Sequence, residues 1–233
     1  VRVKIDPPME AAEAALVVEA LRPVLGEERA DKLDRVAAAR LAGLVVILEN
    51  LHDVHNGGAA LRSCEGVGVL EVRWVNGEGR PRFSERVTQG CEKWLTIAHD
   101  FSIDTCAAEL KARGFKLYAA VPGASVTLEE LDPLTPAAFL IGNEHAGLTQ
   151  AARAAADVEF AIPLAGFSQS VNLSVATALT VYTHARRRRE ALGRGGDLDG
   201  DELTKLRASY YARDIRGADA IVARHRAALG ISR

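Results

Sequence analysis

The 233-residue sequence has little of several things that would narrow its function at once. It holds three cysteines, Cys64, Cys91 and Cys106, an odd number at wide spacing. None forms a C-x-x-C pair, and no histidine stands at zinc-ligand spacing from a cysteine pair, which argues against a zinc site and a disulfide framework. Reduced, mostly buried thiols of a cytoplasmic protein are the reading. No apolar run approaches the roughly 18 residues of a membrane span, and Leu44–Leu48 has the length of a buried strand. The N-terminus shows no basic region followed by an apolar core, so no secretory signal is visible and no membrane is expected as a partner. An excess of one charge is also missing. The 29 Lys and Arg against 31 Asp and Glu leave a net charge of −2, so attraction to nucleic acid must come from distribution rather than from the sum. The common catalytic fingerprints are absent too. Gly66-Val67-Gly68 follows a helical stretch and precedes a strand, the wrong context for a dinucleotide loop. No P-loop and no G-x-S-x-G elbow appears, and Ser168 and Ser170 have no neighbouring histidine.

What is present is an alternating rhythm. Met9 to Leu25 and Glu27 to Leu41 read as helices of an N-terminal extension, 1–42. From Leu44 on, apolar runs of strand length recur at Leu44–Leu48, Leu70–Val75, Trp94–Ala98, Lys116–Val121, Ala138–Ile141 and Val158–Ile162. Helical stretches separate most of them, at Gly58–Val67, Ile103–Arg113, Thr149–Ala155 and Val171–Arg189. The alternation predicts an α/β fold over 43–190, a parallel sheet with helices on both faces. Gly193 to Gly200 is a Gly/Asp-rich linker, and Asp201 to Leu229 returns to helix, making 191–233 a helical C-terminal extension.

Three polar clusters sit where strands end. The first, His55-Asn56-Gly57-Gly58-Ala59-Ala60-Leu61-Arg62, comes after the first strand; it is either an N-cap with a surface arginine or a binding loop that brings Asn56 and Arg62 to one pocket. The second, Gly142-Asn143-Glu144-His145-Ala146-Gly147, comes directly after a buried strand. It is either a capped turn or a ligand loop at the carboxyl end of a parallel strand. The third runs from Ile162-Pro163-Leu164 through Gln169-Ser170-Val171-Asn172-Leu173-Ser174 into a helix. Val171, Val175, Leu179 and Tyr182 are expected to bury one face of that helix, with Ser170 as its N-cap. Arg186-Arg187-Arg188-Arg189 near that helix's end is either a solvated face complementing the helix dipole or an RNA contact.

In this order the three clusters resemble the three motifs of the SPOUT superfamily, in the SpoU branch of tRNA guanosine-2′-O-methyltransferases. The matching pieces are the N-x5-R element ending in Leu61-Arg62-Ser63-Cys64, the Gly142-Asn143-Glu144 turn, and the I-P-L…Q-S-x-N-x-S element. Gly66 to Val72, Lys93-Trp94 and Leu110 to Ala119 resemble that branch as well. The likeness covers about Leu44 to Arg189. Gly57-Gly58 departs from it, standing where bulkier residues are expected, and the N-terminal extension is long.

The resemblance implies a trefoil knot at about 138–185, a feature that periodicity alone would never suggest. It implies S-adenosylmethionine as methyl donor, held by groups around Ala120, Gly142, Ile162 and Val171. No metal is required, because the sulfonium supplies its own leaving group. Arg62 would stand at the ribose 2′-hydroxyl. Since a guanidinium pKa exceeds about 12 it is an awkward base, so orienting the hydroxyl with partial proton transfer is the favoured role. Asn56 and Ser170 would hold the ribose and Arg62, while Glu144 and Asn172 brace the loops. Lys32, Arg35, Arg40, His55, Arg186 and Arg188 would contact RNA phosphates, as would Arg207 and Arg213. A homodimer is implied, one subunit presenting RNA to the other's donor. The expected activity is 2′-O-methylation of tRNA, at guanosine 18 of the D-loop. A 23S rRNA methyltransferase and a non-catalytic RNA-binding protein on the same fold are the alternatives.

Overall fold

The computed structural model describes residues 8–51, 53–75, 85–143 and 146–231. The chain divides into two compact units, one spanning Leu41–Arg194 and the other built from both chain ends, up to Arg40 and from Gly195 on.

The first unit holds a seven-stranded sheet: β1 (Leu41–Glu49), β2 (Val69–Val75), β3 (Thr96–Asp100), β4 (Lys116–Ala120), β5 (Val126–Thr127), β6 (Ala137–Ile141) and β7 (Val158–Ala161). Their spatial order is β3-β2-β1-β6-β4-β7-β5, and every pairing is parallel. β1 is an interior strand and all nine of its residues are buried, which is why Leu41–Leu48 reads as one apolar run rather than an alternating one. Its side chains still alternate. Leu44, Val46 and Leu48 face the layer of α3 (Val54–Val67) and α7 (Leu173–Leu192), while Val45 and Ile47 face α5 (Ile103–Ala112) and α6 (Gln150–Ala155). On the α3/α7 side, Phe139 of β6 stacks on Tyr118 at 5.6 Å and meets Phe160 edge-on at 5.5 Å.

β2 carries two charges into the opposite layer. Arg73, 1% exposed, is held by Glu71, Asp100 and Glu109, and Arg113 closes the cluster on Glu71. Burial opposes its charge, but the bonds to Glu109, Asp100 and Glu71 prevail and hold its pKa above the ordinary arginine value.

The strands expected from the sequence are present with shifted ends. Trp94 belongs to a 3-10 turn (Cys91–Trp94) after the four-residue helix α4 (Glu85–Thr88), and β3 begins at Thr96. The two-residue β5 was too short to leave a periodic signal. α7 starts at Leu173 with Asn172, not Ser170, as its N-cap: the Asn172 carboxamide oxygen accepts from the Ser174 backbone N–H at 2.8 Å. Asp53 rather than Asn56 caps α3, accepting from the His55 N–H. The buried face of α7 also differs from expectation. Leu173, Thr177, Val181, His184, Ala185 and Arg188 point into the unit, whereas Val175, Leu179 and Tyr182 are exposed.

His184 is fully buried against Phe139, with ring centroids 4.9 Å apart, and among the described residues neither ring nitrogen has a hydrogen-bond partner. Burial, followed by the charges of Arg188 and Arg187 and opposed by Asp132, pushes its pKa down to about 4. The imidazole is therefore neutral in the folded protein while the unfolded chain takes up a proton near pH 6.5. The unfolded state binds more protons between those values, so stability is full above pH 6.5 and falls as pH drops toward 4, by about 3 kcal/mol. Urea melts at pH 7 and 4.5 measure this. His184→Leu is expected to remove that part of the slope, and an unchanged slope would assign the acid sensitivity to the carboxylates instead.

The second unit packs α1 (Ala11–Leu25), α2 (Glu27–Ala38), α8 (Gly200–Asp214) and α9 (Ala218–Ala228). The C-terminal helix read as one is two, broken at Gly217, which turns at φ +76°. Asp34 of α2 gathers the bundle, accepting from Arg22 at 2.5 Å, Arg207 at 2.6 Å and the Tyr211 hydroxyl at 2.7 Å. Burial works to raise the Asp34 pKa, yet the bonds from Arg207, Tyr211 and Arg22 hold it below the usual carboxylate value. Two of the residues expected from the sequence at RNA phosphates make contacts within this unit. Arg40 is 1% exposed with its guanidinium 5.7 Å from the Tyr210 ring, and Arg207 is taken by Asp34. Lys32 and Arg35 remain on the exposed face of α2.

Candidate active site at the carboxyl edge of the sheet

A cavity of about 350 Å³ opens beyond the carboxyl ends of β4, β6 and β7. Its walls include Ala120, Val121 and Pro122 at the end of β4, Ile141, Gly142 and Asn143 at the end of β6, and Phe160 of β7 with Ile162 just beyond it. Gln169, Ser170, Val171 and Leu173 close it from the segment leading into α7. β6, β4 and β7 are parallel neighbours, so the loops that follow them leave from one edge of the sheet and converge on this cavity, the edge where such sheets receive ligands. Four residues expected around the donor, Ala120, Gly142, Ile162 and Val171, line this one cavity, with Ser170 at its wall.

Gly142 is required by close approach. A Cβ there would sit 2.3 Å from the Gly147 carbonyl carbon and the Leu148 nitrogen. The returning strand of the loop lies that near because Asn143 and Gly147 exchange both backbone bonds, at 3.1 and 2.9 Å, with Gly147 at φ +67°. The Asn143 side chain ties the loop further: its amide donates to the Asn50 carbonyl at 2.9 Å and its oxygen accepts from the Ala146 N–H at 3.1 Å. Glu49 takes the far end, accepting from the Thr149 N–H at 2.9 Å and hydroxyl at 2.6 Å. Glu49, Asn50 and Thr149 were not singled out from the sequence, and Asn143 was named only as part of the Gly142-Asn143-Glu144 turn. The available signal was Glu49 itself, a carboxylate closing an otherwise apolar strand. Glu144 lies outside the described residues.

On the other side, the Asn172 amide donates to the Asn56 carboxamide oxygen at 3.2 Å, joining the first and third clusters. Arg62 is exposed on α3, does not line the cavity, and donates to the Val87 carbonyl at 3.4 Å. The glycine pair before it has a packing reason. A Cβ on Gly57 would meet the Trp74 ring at 2.5 Å, and one on Gly58 would meet Val87 at 2.7 Å, so the bulk expected on the helix is supplied by its neighbours.

The arginine run is mostly internal. Arg187 donates to the Leu131 carbonyl at 2.8 Å, Arg188 to Pro133 and Leu134 at 2.8 and 3.0 Å, and Arg189 to Val67 at the end of α3 at 2.7 Å. Arg188, expected at RNA, instead satisfies carbonyls of the turn before β6. Arg186 is exposed and pairs with Glu190 at 2.6 Å, a solvated ion pair worth little to stability, and His55 is exposed at the start of α3. The cysteines are structural in character. Burial pushes the Cys64 and Cys106 thiols well above their usual range and Cys91 up to about 11, so none is a thiolate at neutral pH.

Fold and site together define an α/β protein with a loop-walled cavity at the carboxyl edge of a parallel sheet. The SpoU rRNA Methylase family model matches residues 43–182. A tRNA (guanosine(18)-2′-O)-methyltransferase of Thermus thermophilus is 38% identical over 167 residues, 71% of this chain and 86% of its own. The crystal structure of the Aquifex aeolicus TrmH/SpoU tRNA modifying enzyme is 33% identical with a TM-score of 0.74, covering 83% of this chain and 99% of that one. An AdoMet-bound rRNA methyltransferase from Sinorhizobium meliloti is 28% identical with a TM-score of 0.57, covering 62% and 56%. The chain belongs to the SpoU rRNA Methylase family.

Proposed function

We propose that the protein transfers a methyl group from S-adenosylmethionine to a ribose 2′-oxygen of tRNA, at guanosine 18 of the D-loop. The observation that carries this reading is the single cavity that gathers Ala120, Gly142, Ile162, Val171 and Ser170 from three separate segments. The cavity fits the donor. Its volume lies within the range of small-molecule sites, its walls mix apolar side chains with polar groups such as Asn143, Gln169 and Ser170, and a wall without a Cβ at Gly142 brings backbone to the ligand. Backbone groups at Ala120, Gly142, Ile162 and Val171 hold the donor, and its sulfonium supplies an activated methyl group. The bond between Asn56 and Asn172 fixes the acceptor side of the cavity, with Ser170 beside it and Glu144 assigned to bracing the loop. Arg62 binds the phosphate next to the acceptor ribose and orients the 2′-hydroxyl, drawing on its proton as the oxygen becomes nucleophilic. Lys32, Arg35, His55 and Arg186 supply phosphate contacts.

The same reading places residues 138–185 in a trefoil knot and makes the enzyme a cytoplasmic two-fold dimer. Two observations support the dimer: Arg62 stands away from its own chain's cavity, and α7 presents an uncovered apolar face. Among the described residues no helix is long and apolar enough to cross a membrane.

Labelled methyl transfer tests the activity. Incorporation is expected into a tRNA transcript and is expected to vanish when position 18 carries a 2′-deoxyribose. Incorporation into a 23S rRNA transcript but not tRNA would overturn the substrate, and absence of incorporation into either would overturn the activity.

A further inference from the structure

The loop that roofs the donor cavity is clasped at both ends by two consecutive residues at the end of β1. Asn143, at the loop's start, donates its side-chain amide to the Asn50 carbonyl at 2.9 Å. Thr149, at its finish, gives its N–H and hydroxyl to the Glu49 carboxylate at 2.9 and 2.6 Å. Both gripping side chains are buried, Glu49 at 2% and Asn143 at 8% exposure, so solvent cannot readily take the place of a lost partner. Asn50 holds an uncommon backbone, φ +50° in a non-glycine residue, while its N–H continues the sheet to the Val75 carbonyl at 2.8 Å. That conformation turns the chain out of the strand, toward α3.

The turn at Asn50 links the clasp to the acceptor side. It leads within a few residues to the start of α3, which carries His55, Asn56 and Arg62. Asn56 then reaches Asn172 at the head of α7, after the segment that forms another wall of the cavity. Hydrogen bonds therefore tie the donor loop to residues 49–50 and Asn56 to the head of α7, and the short stretch of chain from Asn50 to α3 connects the two. We propose that Glu49 is a positioning residue: by holding Thr149, it couples the donor loop to the posture of the α3 head, so that filling the donor cavity sets Asn56 and Arg62. This coupling rests on the proposed binding of S-adenosylmethionine in that cavity.

Hydrogen exchange on the full-length protein, with and without saturating S-adenosylhomocysteine, reads the coupling without any turnover. In the wild type the ligand is expected to slow exchange in the donor loop and also in the first turn of α3. In Glu49→Gln, an isosteric change that removes one acceptor, the loop is expected to stay protected at saturation while the protection of the α3 turn is lost. Kinetically, kcat at saturating donor is expected to fall about tenfold in Glu49→Gln with the KM for tRNA within about twofold, the pattern of a lost geometry rather than lost RNA binding. Thr149→Ser, which keeps the hydroxyl, is expected to behave as wild type, and Thr149→Val as Glu49→Gln; a thermal melt of each variant identifies any that fails to fold, and the remaining member of the pair then carries the test. Ligand binding that protects the loop but leaves the wild-type α3 turn unchanged would overturn the coupling while leaving the donor assignment intact. Absence of S-adenosylhomocysteine binding by the wild type would instead remove the donor assignment, and the coupling with it.

Discussion

Gly142→Ala is expected to raise the Kd for S-adenosylhomocysteine by about tenfold to hundredfold with little loss of global stability. The added methyl would lie 2.3 Å from two backbone atoms of Gly147 and Leu148 and 2.5 Å from the Gly147 oxygen. Backbone cannot swing aside as a side-chain tip can, so the loop must separate, and overpacking of this kind costs about 1–3 kcal/mol. The separation stretches the paired Asn143–Gly147 bonds at 2.9–3.1 Å and moves the cavity wall formed by Gly142, Asn143, Ala146 and Gly147. Because about 1.4 kcal/mol is a factor of ten in affinity, strain released only when the wall deforms appears chiefly in binding. The strands beneath, fully buried and bonded on both sides, do not depend on this loop. Gly66→Ala serves as control: nothing lies within 4 Å of the position its methyl would take, and alanine suits the α3 helix better than glycine. Isothermal titration of both variants checks the expectation. Equal affinities would mean that the wall around Gly142 does not hold the donor.

The parts of this architecture legible in the sequence were those with one dominant cause. β1 announces itself because burial on both faces demands an unbroken apolar run, and Gly142 because a strand that turns at once on glycine leaves few structural choices. Where two causes compete, the pattern misleads. α7 is apolar on two faces, so its periodicity could not tell which face meets its own core: Val181 and Ala185 went inward, and Val175, Leu179 and Tyr182 outward. Arg188 sits in a conspicuously basic run, yet its carbonyl partners, Pro133 and Leu134, lie more than fifty positions away and carry no side-chain signal. Arg40 was lost to the same blindness, its ring partner Tyr210 standing at the other end of the chain. Gly57 is the reverse case. A departure from the family pattern proves to be compensation, since the Trp74 ring fills the space that a larger residue would need. Asn56 and Asn172 were each singled out alone, but their mutual bond spans 116 positions and required the fold.

Leu179→Glu is expected to convert a dimer into monomers and to abolish methyl transfer while leaving each chain folded. Val175, Leu179 and Tyr182, at i, i+4 and i+7 of α7, form one face and are 44%, 40% and 62% exposed. Phe167, on the segment before the helix, adds a fully solvated ring. Apolar side chains grouped on one helix face, next to a ligand cavity, are the kind of patch that proteins cover by association. In the proposed two-fold dimer, a second copy would cover it with the same residues and would place two cavities near one shared surface. A carboxylate at the centre of that surface would be desolvated without a partner, so the dimer Kd should rise by at least about a hundredfold, which sedimentation reads directly. The catalytic consequence comes from Arg62, which is exposed and absent from its own chain's cavity wall. If each site takes its arginine from the partner, Arg62→Ala, and Gly142→Ala assayed at a donor concentration far below its raised Kd, are each nearly inactive alone but complement when mixed. Random exchange makes half of the dimers heterodimers with one intact site of two, so about a quarter of wild-type activity should return. No recovery from a mixture shown to exchange subunits would place Arg62 and the donor in the same chain. A Leu179→Glu protein that still sediments as a dimer would move the interface off this helix.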